Sequence, residues 1–244
     1  MNIEIELAGK RIRLGLRFEE TKRYFEQFIT NDNCEAYDIK IENADIVENP
    51  DAVPGGNLTP FTEAYLLMPK VSKFILDYSM VMIHGLSIVF SGKAWLITAH
   101  SGVGKTTQLR LWQRLFPDEF EIINGDKTLL SLHEDGFWLH PSPWTGKEKD
   151  TGTASAPLGG IIVLEQASEN TVRRLSIRES VFMIYQQFLN LGDEADEVQA
   201  MGRLESKLLD KTPVWLLKNL GDEESARLMH KTLLDHEASE HESV

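Results

Sequence analysis

One glycine-rich stretch carries the side chains best suited to chemistry. Residues 99–107 read AHSGVGKTT, and backbone N–H groups from Gly102 to Lys105 can converge on one anion without a side chain in the way. The ammonium of Lys105 can bridge the β and γ phosphates of a nucleotide, and the hydroxyl of Thr106 can ligate Mg²⁺. The spacing indicates a P-loop, with Ala99 where the usual pattern has its first glycine. The alternative is a helix N-terminal loop without a ligand.

This interpretation predicts that the loop binds ATP and Mg²⁺. The residues assigned to nucleotide binding are Ser101, Gly102, Val103, Gly104, Lys105, Thr106 and Thr107.

Phosphoryl transfer also needs a carboxylate, either to hold the metal ion or to take the proton of the attacking hydroxyl. Asp126 follows the apolar run FEIIN and lies twenty residues after Thr106, which leaves room for one helix and one strand. We therefore expect Asp126 and the loop at the same sheet edge, with Thr106 and Asp126 as metal ligands. An aspartate that only serves a turn after Gly125 is the alternative.

The elements around these residues alternate between strand and helix. Strands are predicted at residues 81–83, 86–90 and 94–98, and a helix at 108–116 follows the loop. Further strands are predicted at 120–124, 128–132, 137–140, 159–164 and 214–217, and helices at 177–191, 194–210 and 222–234, with a frayed tail from His236. The pattern predicts an α/β fold with a mixed sheet.

The first part of the chain has a different pattern. Alternating apolar residues on both sides of Ala8 and Gly9 predict a hairpin, residues 37–47 a further strand, and residues 62–78 a helix with a kink or break at Pro69. Turn residues between 49 and 57 suggest a boundary. We predict a β-rich N-terminal region at 1–58 and a P-loop domain at 59–244.

Composition narrows the partners and the compartment. A formal net charge of −13 disfavours nucleic acid and anionic membranes, and no apolar run reaches membrane-spanning length. Cys34 is the single cysteine, and the first residues contain no signal-peptide core, so a cytoplasmic location is expected. The histidines have no zinc-site spacing, which predicts no structural metal. Whether the chain forms a homo-oligomer stays open.

Residues from about Ile83 to Leu164 resemble the HPr kinase/phosphorylase group of P-loop kinases, whose nucleotide domain is related to that of phosphoenolpyruvate carboxykinase. His84-Gly85 precedes LSIVFSGKAWLIT and then AHSGVGKTT, which is the order found in that group. Gly125-Asp126-Lys127 matches its acidic position, where the group usually has two adjacent acids and this chain has one. PSPWTGK at 141–147 and PLGGIIVLE at 157–165 resemble its short, stand-alone members.

The resemblance implies a phosphoenolpyruvate carboxykinase/HPr kinase-like fold and adds His84 to the catalytic set of Asp126 and Lys105, as a residue that orients the acid or shares its proton. Without the resemblance, a histidine that ends an apolar strand is more often a core residue with its hydrogen bonds satisfied. It also implies that Lys147 steadies phosphate charge and that Trp144 walls the nucleotide pocket, although a surface lysine and a core tryptophan are equally good interpretations. Some short members phosphorylate a serine of a ribosomally made peptide, while the signature loop of true HPr kinases is not recognisable between Lys147 and Gly159.

Two hypotheses follow. The first is an ATP-dependent kinase that transfers the γ-phosphate to a serine or threonine hydroxyl of a protein or peptide. The second is a nucleotide-binding regulatory module with little or no transfer activity, which the single acid favours. A decarboxylase of the phosphoenolpyruvate type would need additional metal ligands and substrate-binding arginines, which cannot be assigned in this sequence.

Overall fold

The computed structural model describes residues 1–31, 36–48, 53, 56–146, 149–189 and 194–241. Lys147 and Glu148, and Cys34, lie outside the described residues.

The described part is a mixed α/β protein with twelve strands and six α-helices. The strands are β1 (Asn2–Leu7), β2 (Lys10–Gly15), β3 (Tyr37–Lys40), β4 (Met80–His84), β5 (Leu86–Phe90), β6 (Lys93–Thr98), β7 (Phe120–Asn124), β8 (Lys127–His133), β9 (Gly136–His140), β10 (Ala156–Gln166), β11 (Thr171–Arg174) and β12 (Val214–Asn219). The helices are α1 (Asn43–Glu48), α2 (Pro60–Leu76), α3 (Lys105–Leu115), α4 (Ile177–Tyr185), α5 (Ala195–Lys211) and α6 (Glu223–His241), with 3₁₀ turns at Glu19–Tyr24 and Glu26–Phe28.

The N-terminal strands form a small sheet in the order β1-β2-β3. Ala8 and Gly9 both have positive φ, which is the geometry of a two-residue hairpin turn, so the predicted hairpin is confirmed. The strand predicted at 37–47 is wrong beyond Lys40, because α1 begins at Asn43. The carboxylate of Asp45 accepts a hydrogen bond from the backbone N–H of Glu42 at 2.6 Å and so satisfies a group that precedes this helix.

Helix α2 covers the small sheet. Thr59 and Thr62 cap its start reciprocally, and the helix continues through Pro69 to Leu76, so of the kink or break predicted at Pro69 the break is wrong. Proline in a helix interior costs a hydrogen bond, but the buried face of α2 offsets that cost through packing. Val71 and Ile75 are fully buried and belong to one hydrophobic cluster with the side chains of β1 and β2. That cluster also contains Met82 and Leu129 of the larger sheet.

The larger sheet has nine strands and curls around β10. One side runs β4-β8-β9-β10, and the other continues β10-β6-β5-β7, with β12 on the opposite edge of β10 and β11 beyond it. Strands β6, β10 and β12 are parallel, and β5 pairs antiparallel with both β6 and β7. Strand β7 therefore runs in the same direction as β6. Their carboxyl ends meet at one edge of the sheet.

Two further predictions are corrected. Strand β11 was missed, because its residues are mostly exposed and show no apolar alternation. The frayed tail predicted from His236 is wrong within the described residues, since α6 runs to His241. The His236 ring packs on Trp215 at 5.0 Å between centroids. Among the residues described, no helix combines the length and apolar character needed to cross a membrane.

Candidate active site

The glycine-rich loop connects the end of β6 to the start of α3. Gly102 and Gly104 have φ of 83° and 118°, in the left-handed region that side chains with a Cβ rarely adopt. An added Cβ would meet no atom within 4 Å at either glycine, so backbone conformation rather than space requires glycine. Ser101 is exposed, and Val103 is partly buried against the hydrophobic cluster of α3.

The N-terminus of α3 opens toward solvent. Gly104 precedes the helix without a capping side-chain hydrogen bond, and the N–H of Gln108 donates to the carbonyl of Gly104 at 2.9 Å. The N–H groups of Lys105, Thr106 and Thr107 come before that bond and have no acceptor within the helix. Thr106 and Thr107 are also exposed. Together with the helix dipole, these groups make an anion-binding end.

The side chain of Lys105 folds back over the loop. Its Nζ donates to the carbonyl oxygen of Ala99 at 2.9 Å, which leaves two further N–H donors for a ligand. Burial lowers the pKa of Lys105, the charge of Asp126 opposes that effect, and the charge of Lys127 adds to it. The N–H of Val103 already donates to the carbonyl of His100 at 3.3 Å, so a ligand would use other amides of the loop and of the first turn of α3. A half-buried ammonium beside these amides is suited to phosphate.

The turn that holds Asp126 is built by Asn124, the last residue of β7. Its side-chain oxygen accepts hydrogen bonds from the backbone N–H of Asp126 at 2.9 Å and of Lys127 at 2.8 Å. Its amide nitrogen donates to the carbonyl of Ser142 at 2.9 Å. Asn124 is fully buried. The hydrogen bonds of the buried Asn124 side chain therefore help to fix the position of Asp126, in addition to the turn itself.

The Asp126 carboxylate has a partner on each oxygen. Oδ1 lies 3.2 Å from Nε2 of His84, and Oδ2 pairs with the ammonium of Lys127. Burial raises the pKa of Asp126, but the hydrogen bonds from His84 and Lys127 outweigh it and lower the pKa to about 2. Asp126 is an anion at neutral pH.

Gln187 contacts His84 on the side of the ring away from Asp126. Nδ1 of His84 lies 3.3 Å from Oε1 of Gln187, and the backbone N–H of His84 donates to the Gln187 carbonyl at 2.7 Å. The hydroxyl of Thr98, at the end of β6, donates to the carbonyl of His84 at 2.6 Å. These hydrogen bonds connect His84 to β6, the strand that leads into the glycine-rich loop, and direct Nε2 of His84 toward Asp126.

Gly85 allows the strands to approach at this edge. An added Cβ would lie 2.7 Å from Cδ1 of Leu96, and the Gly85 N–H donates to the carbonyl of Asp126 at 2.7 Å. The structure thus explains the two residue types of the His-Gly pair. His84 faces the carboxylate of Asp126, and Gly85 fits closely against β6.

The structure brings the three residues predicted as catalytic to one edge. Asn124 and Gln187 also belong to this edge and were not predicted from the sequence. An Asn two residues before an Asp at the end of a strand is a turn signal that could have indicated Asn124. Gln187 lies just after α4, more than a hundred residues from His84, and carries no local signal.

The residues present fit a single Mg²⁺ ion bound together with substrate phosphates. The exposed hydroxyl of Thr106 and the anionic carboxylate of Asp126 could supply oxygen ligands, and Mg²⁺ commonly uses one or two protein oxygens beside phosphate and water. Within the described residues, no group of three or more His, Cys, Asp or Glu side chains could hold a metal on its own. Asp150 lies nearby, and its backbone carbonyl accepts from the N–H of Gly125 at 2.8 Å.

A cleft of about 800 Å³ opens beside Asp126 and Lys127. Its walls come from the 3₁₀ turns, the start of α2, residues 143–146, and residues 149 and 151. Trp144 lines it and is largely buried, with Nε1 donating to the carbonyl of Ala64 at 2.8 Å.

Comparisons with known proteins give little beyond this geometry. No family model matches the chain, and no curated protein matches it. Among solved structures, the chain is similar to the HPr(Ser) kinase/phosphatase from Coxiella burnetii, with a TM-score of 0.38 and 13% sequence identity over 66% of this chain and 96% of that chain. A likeness this weak carries no argument about activity.

Proposed function

We propose that this protein is an ATP-dependent kinase that transfers the γ-phosphate to a serine or threonine hydroxyl of a protein or peptide. The observation that carries the proposal is the meeting of a glycine-rich anion-binding loop with a positioned, ionised carboxylate at one sheet edge. Lys105 and Asp126 are close enough for their charges to interact. A phosphate-binding end alone indicates nucleotide binding, and the added carboxylate indicates transfer.

Each residue has a distinct task in this proposal. The amides of the loop and of the first turn of α3 bind the β and γ phosphates, and Lys105 neutralises the charge that develops on the bridging oxygen. Asp126 orients the acceptor hydroxyl and takes its proton as the hydroxyl oxygen bonds to the γ-phosphorus. The bond between that phosphorus and the β,γ-bridging oxygen breaks, and ADP leaves with the electron pair. His84 positions the carboxylate.

Thr106 and Asp126 would hold Mg²⁺, which neutralises phosphate charge when it is bound. Lys127 already pairs with Asp126, so its ammonium and a bound Mg²⁺ would share one carboxylate. We therefore propose that the ammonium of Lys127 keeps Asp126 ionised before the substrate binds.

The test compares the wild-type protein with Asp126→Asn and Lys105→Ala, using labelled Mg-ATP and a mixed pool of serine- and threonine-containing peptides. Wild type is expected to label the peptides on hydroxyl groups, and both variants should lose most of that labelling. Lys105→Ala should also lose nucleotide affinity, whereas Asp126→Asn should change it only modestly. Equal labelling by wild type and both variants would refute the proposal.

A nucleotide-binding regulatory module is the second candidate, and one observation favours it. Asp126 has a pKa of about 2 and is the single acid at this position, so its basicity is low. Such a module would bind Mg-ATP with Lys105 and change its stability, but would label neither pooled peptides nor whole-cell extract.

A further inference from the structure

The cleft beside Asp126 is separate from the nucleotide loop. Its lining contains Asp126 and Lys127 and none of the residues of the loop at 99–107. Asp126 therefore has the loop on one side and the cleft on another. In-line transfer needs the acceptor and the leaving group on opposite sides of the phosphoryl group, and this arrangement provides a second compartment for the acceptor.

The rim of the cleft is aromatic and exposed. Phe61 is 63% exposed and Tyr65 is 43% exposed, and both lie on the first turns of α2. Tyr24 of the 3₁₀ turn meets Phe61 edge to face at 6.1 Å between ring centroids. Large aromatic side chains beside an ionised acid present apolar area that a bound partner can cover.

The two walls of the cleft are fastened to each other. Glu63 of α2 is fully buried and accepts hydrogen bonds from the N–H of Arg17 at 2.6 Å, the N–H of Phe18 at 3.2 Å and the hydroxyl of Thr21 at 2.5 Å. On the opposite side, Gln27 donates to the carbonyl of Gly152. The cleft is thus a formed feature of the fold, which reduces the ordering cost of binding.

Among the described residues that line the cleft, positive charge is in slight excess. Lys127 and Asp126 pair with each other, which leaves Arg23 and Lys149 against Glu26. The protein as a whole carries −13. A local cationic lining in an acidic protein favours an acidic ligand and disfavours a basic one.

From these observations we infer that the cleft binds the phosphate acceptor as a short peptide segment with aromatic or aliphatic and acidic residues on either side of the hydroxyl-bearing residue. The volume lies toward the upper end of the range of roughly 300–1,000 Å³ for ligand sites, enough for several side chains. The N-terminal region then has a role in acceptor selection. This inference rests on the proposed kinase function.

The experiment uses two pools of fluorescein-labelled heptapeptides with a central serine. Phe, Leu, Asp and Glu flank the serine in the first pool, and Ala and Lys in the second. Fluorescence anisotropy without nucleotide measures binding, and labelled Mg-ATP measures transfer. We expect the 244-residue chain to bind the acidic-aromatic pool at least tenfold more tightly than the basic pool.

Three variants separate the contributions. The double variant Phe61→Ala/Tyr65→Ala should weaken binding of the first pool at least tenfold, and Arg23→Glu should reduce the preference for acidic flanks. Phe182→Ala is the matched control, because it removes an aromatic ring that is 69% exposed on α4 and does not line the cleft. Melting temperature and Mg-ATP affinity check that each variant is folded.

The outcomes distinguish the two proposals. Binding that depends on Phe61 and Tyr65 without phosphate transfer by the wild type would support the cleft as a peptide site and refute the kinase. Transfer to both pools at similar rates, unaffected by the double variant, would support the kinase and overturn this inference. Failure of both pools to bind would also overturn it, and would favour a small-molecule occupant.

Discussion

Replacing Asp126 by Asn tests the carboxylate with little change in shape. The folded pKa of about 2 lies below the ordinary aspartate pKa of 3.8, so ionised Asp126 stabilises the fold above about pH 4, and that stabilisation is lost as the pH falls through 2. A shift of this size corresponds to about 2 kcal/mol. Asn can still accept hydrogen bonds but has no charge for Lys127, so we expect the free energy of unfolding at pH 7 to fall by about 1–2 kcal/mol.

The effect on transfer should exceed the effect on stability. We expect nucleotide affinity to change modestly, because the loop amides and Lys105 remain, and transfer to fall by on the order of 10²-fold or more. Calorimetry measures nucleotide affinity, single-turnover labelling of the peptide pool measures transfer, and urea denaturation measures stability. The control is Asp118→Asn, at an exposed position in the turn before β7.

Two results would refute this reasoning. Full transfer by Asp126→Asn would remove the carboxylate from the mechanism, and Asp150 and Glu148 would be tested next. An equal loss of transfer and nucleotide affinity would assign Asp126 to phosphate or metal binding alone.

His84→Ala should show a smaller loss of transfer if His84 positions the acid, and mainly a loss of stability if it is only a packed residue.

Three further changes have separate signatures. Mg-ATP at a hundredfold excess over Kd should stabilise the protein by about 2.7 kcal/mol, and Lys105→Ala should abolish most of the resulting rise in melting temperature. Burial raises the Glu205 pKa to about 7, so the wild-type fold loses stability as the pH rises from 4.5 through 7. Glu205→Gln should therefore stabilise the protein by about 1–3 kcal/mol at pH 8 and by little at pH 4.5. Urea denaturation midpoints measured at both pH values would detect this difference. Gly146→Ala should lower transfer more than nucleotide affinity, because φ is +74° at Gly146 and an added Cβ would lie 2.9 Å from Cβ of Asp126. Gly92→Ala is the matched control, because Gly92 has φ of +77° and open space around an added Cβ. Equal activity of the two variants would contradict the steric argument.

The sequence predicted the loop and the acid because both depend on local signals. Glycines at 102 and 104 adopt the left-handed conformations that the motif requires, and Asp126 follows a short apolar strand. Their meeting at one edge also follows from strand direction, since β7 and β6 run the same way. The spacing of strands and helices was therefore enough to predict the mixed α/β class.

Features that depend on distant parts of the chain were not predictable. Gln187 reaches His84 only because the end of α4 returns to β4, and the backbone pairing of Ile83 with Phe188 is the link. The N-terminal wall of the cleft depends on buried Glu63, which would be read as a surface residue from its type alone. Long-range contacts of polar residues leave no periodicity in the sequence.

The low pKa of Asp126 limits how it can act. A carboxylate with a pKa of about 2 cannot remove a proton from an unreacted alcohol, because the alcohol is far less acidic. In a loose phosphoryl-transfer transition state, however, the attacking hydroxyl keeps its proton until its bond to phosphorus is well advanced, and only then becomes acidic. A weak base held in place by His84 and Lys127 can accept the proton at that stage. Asp126 would then contribute mainly through position and charge, so transfer should not require a separate strong base.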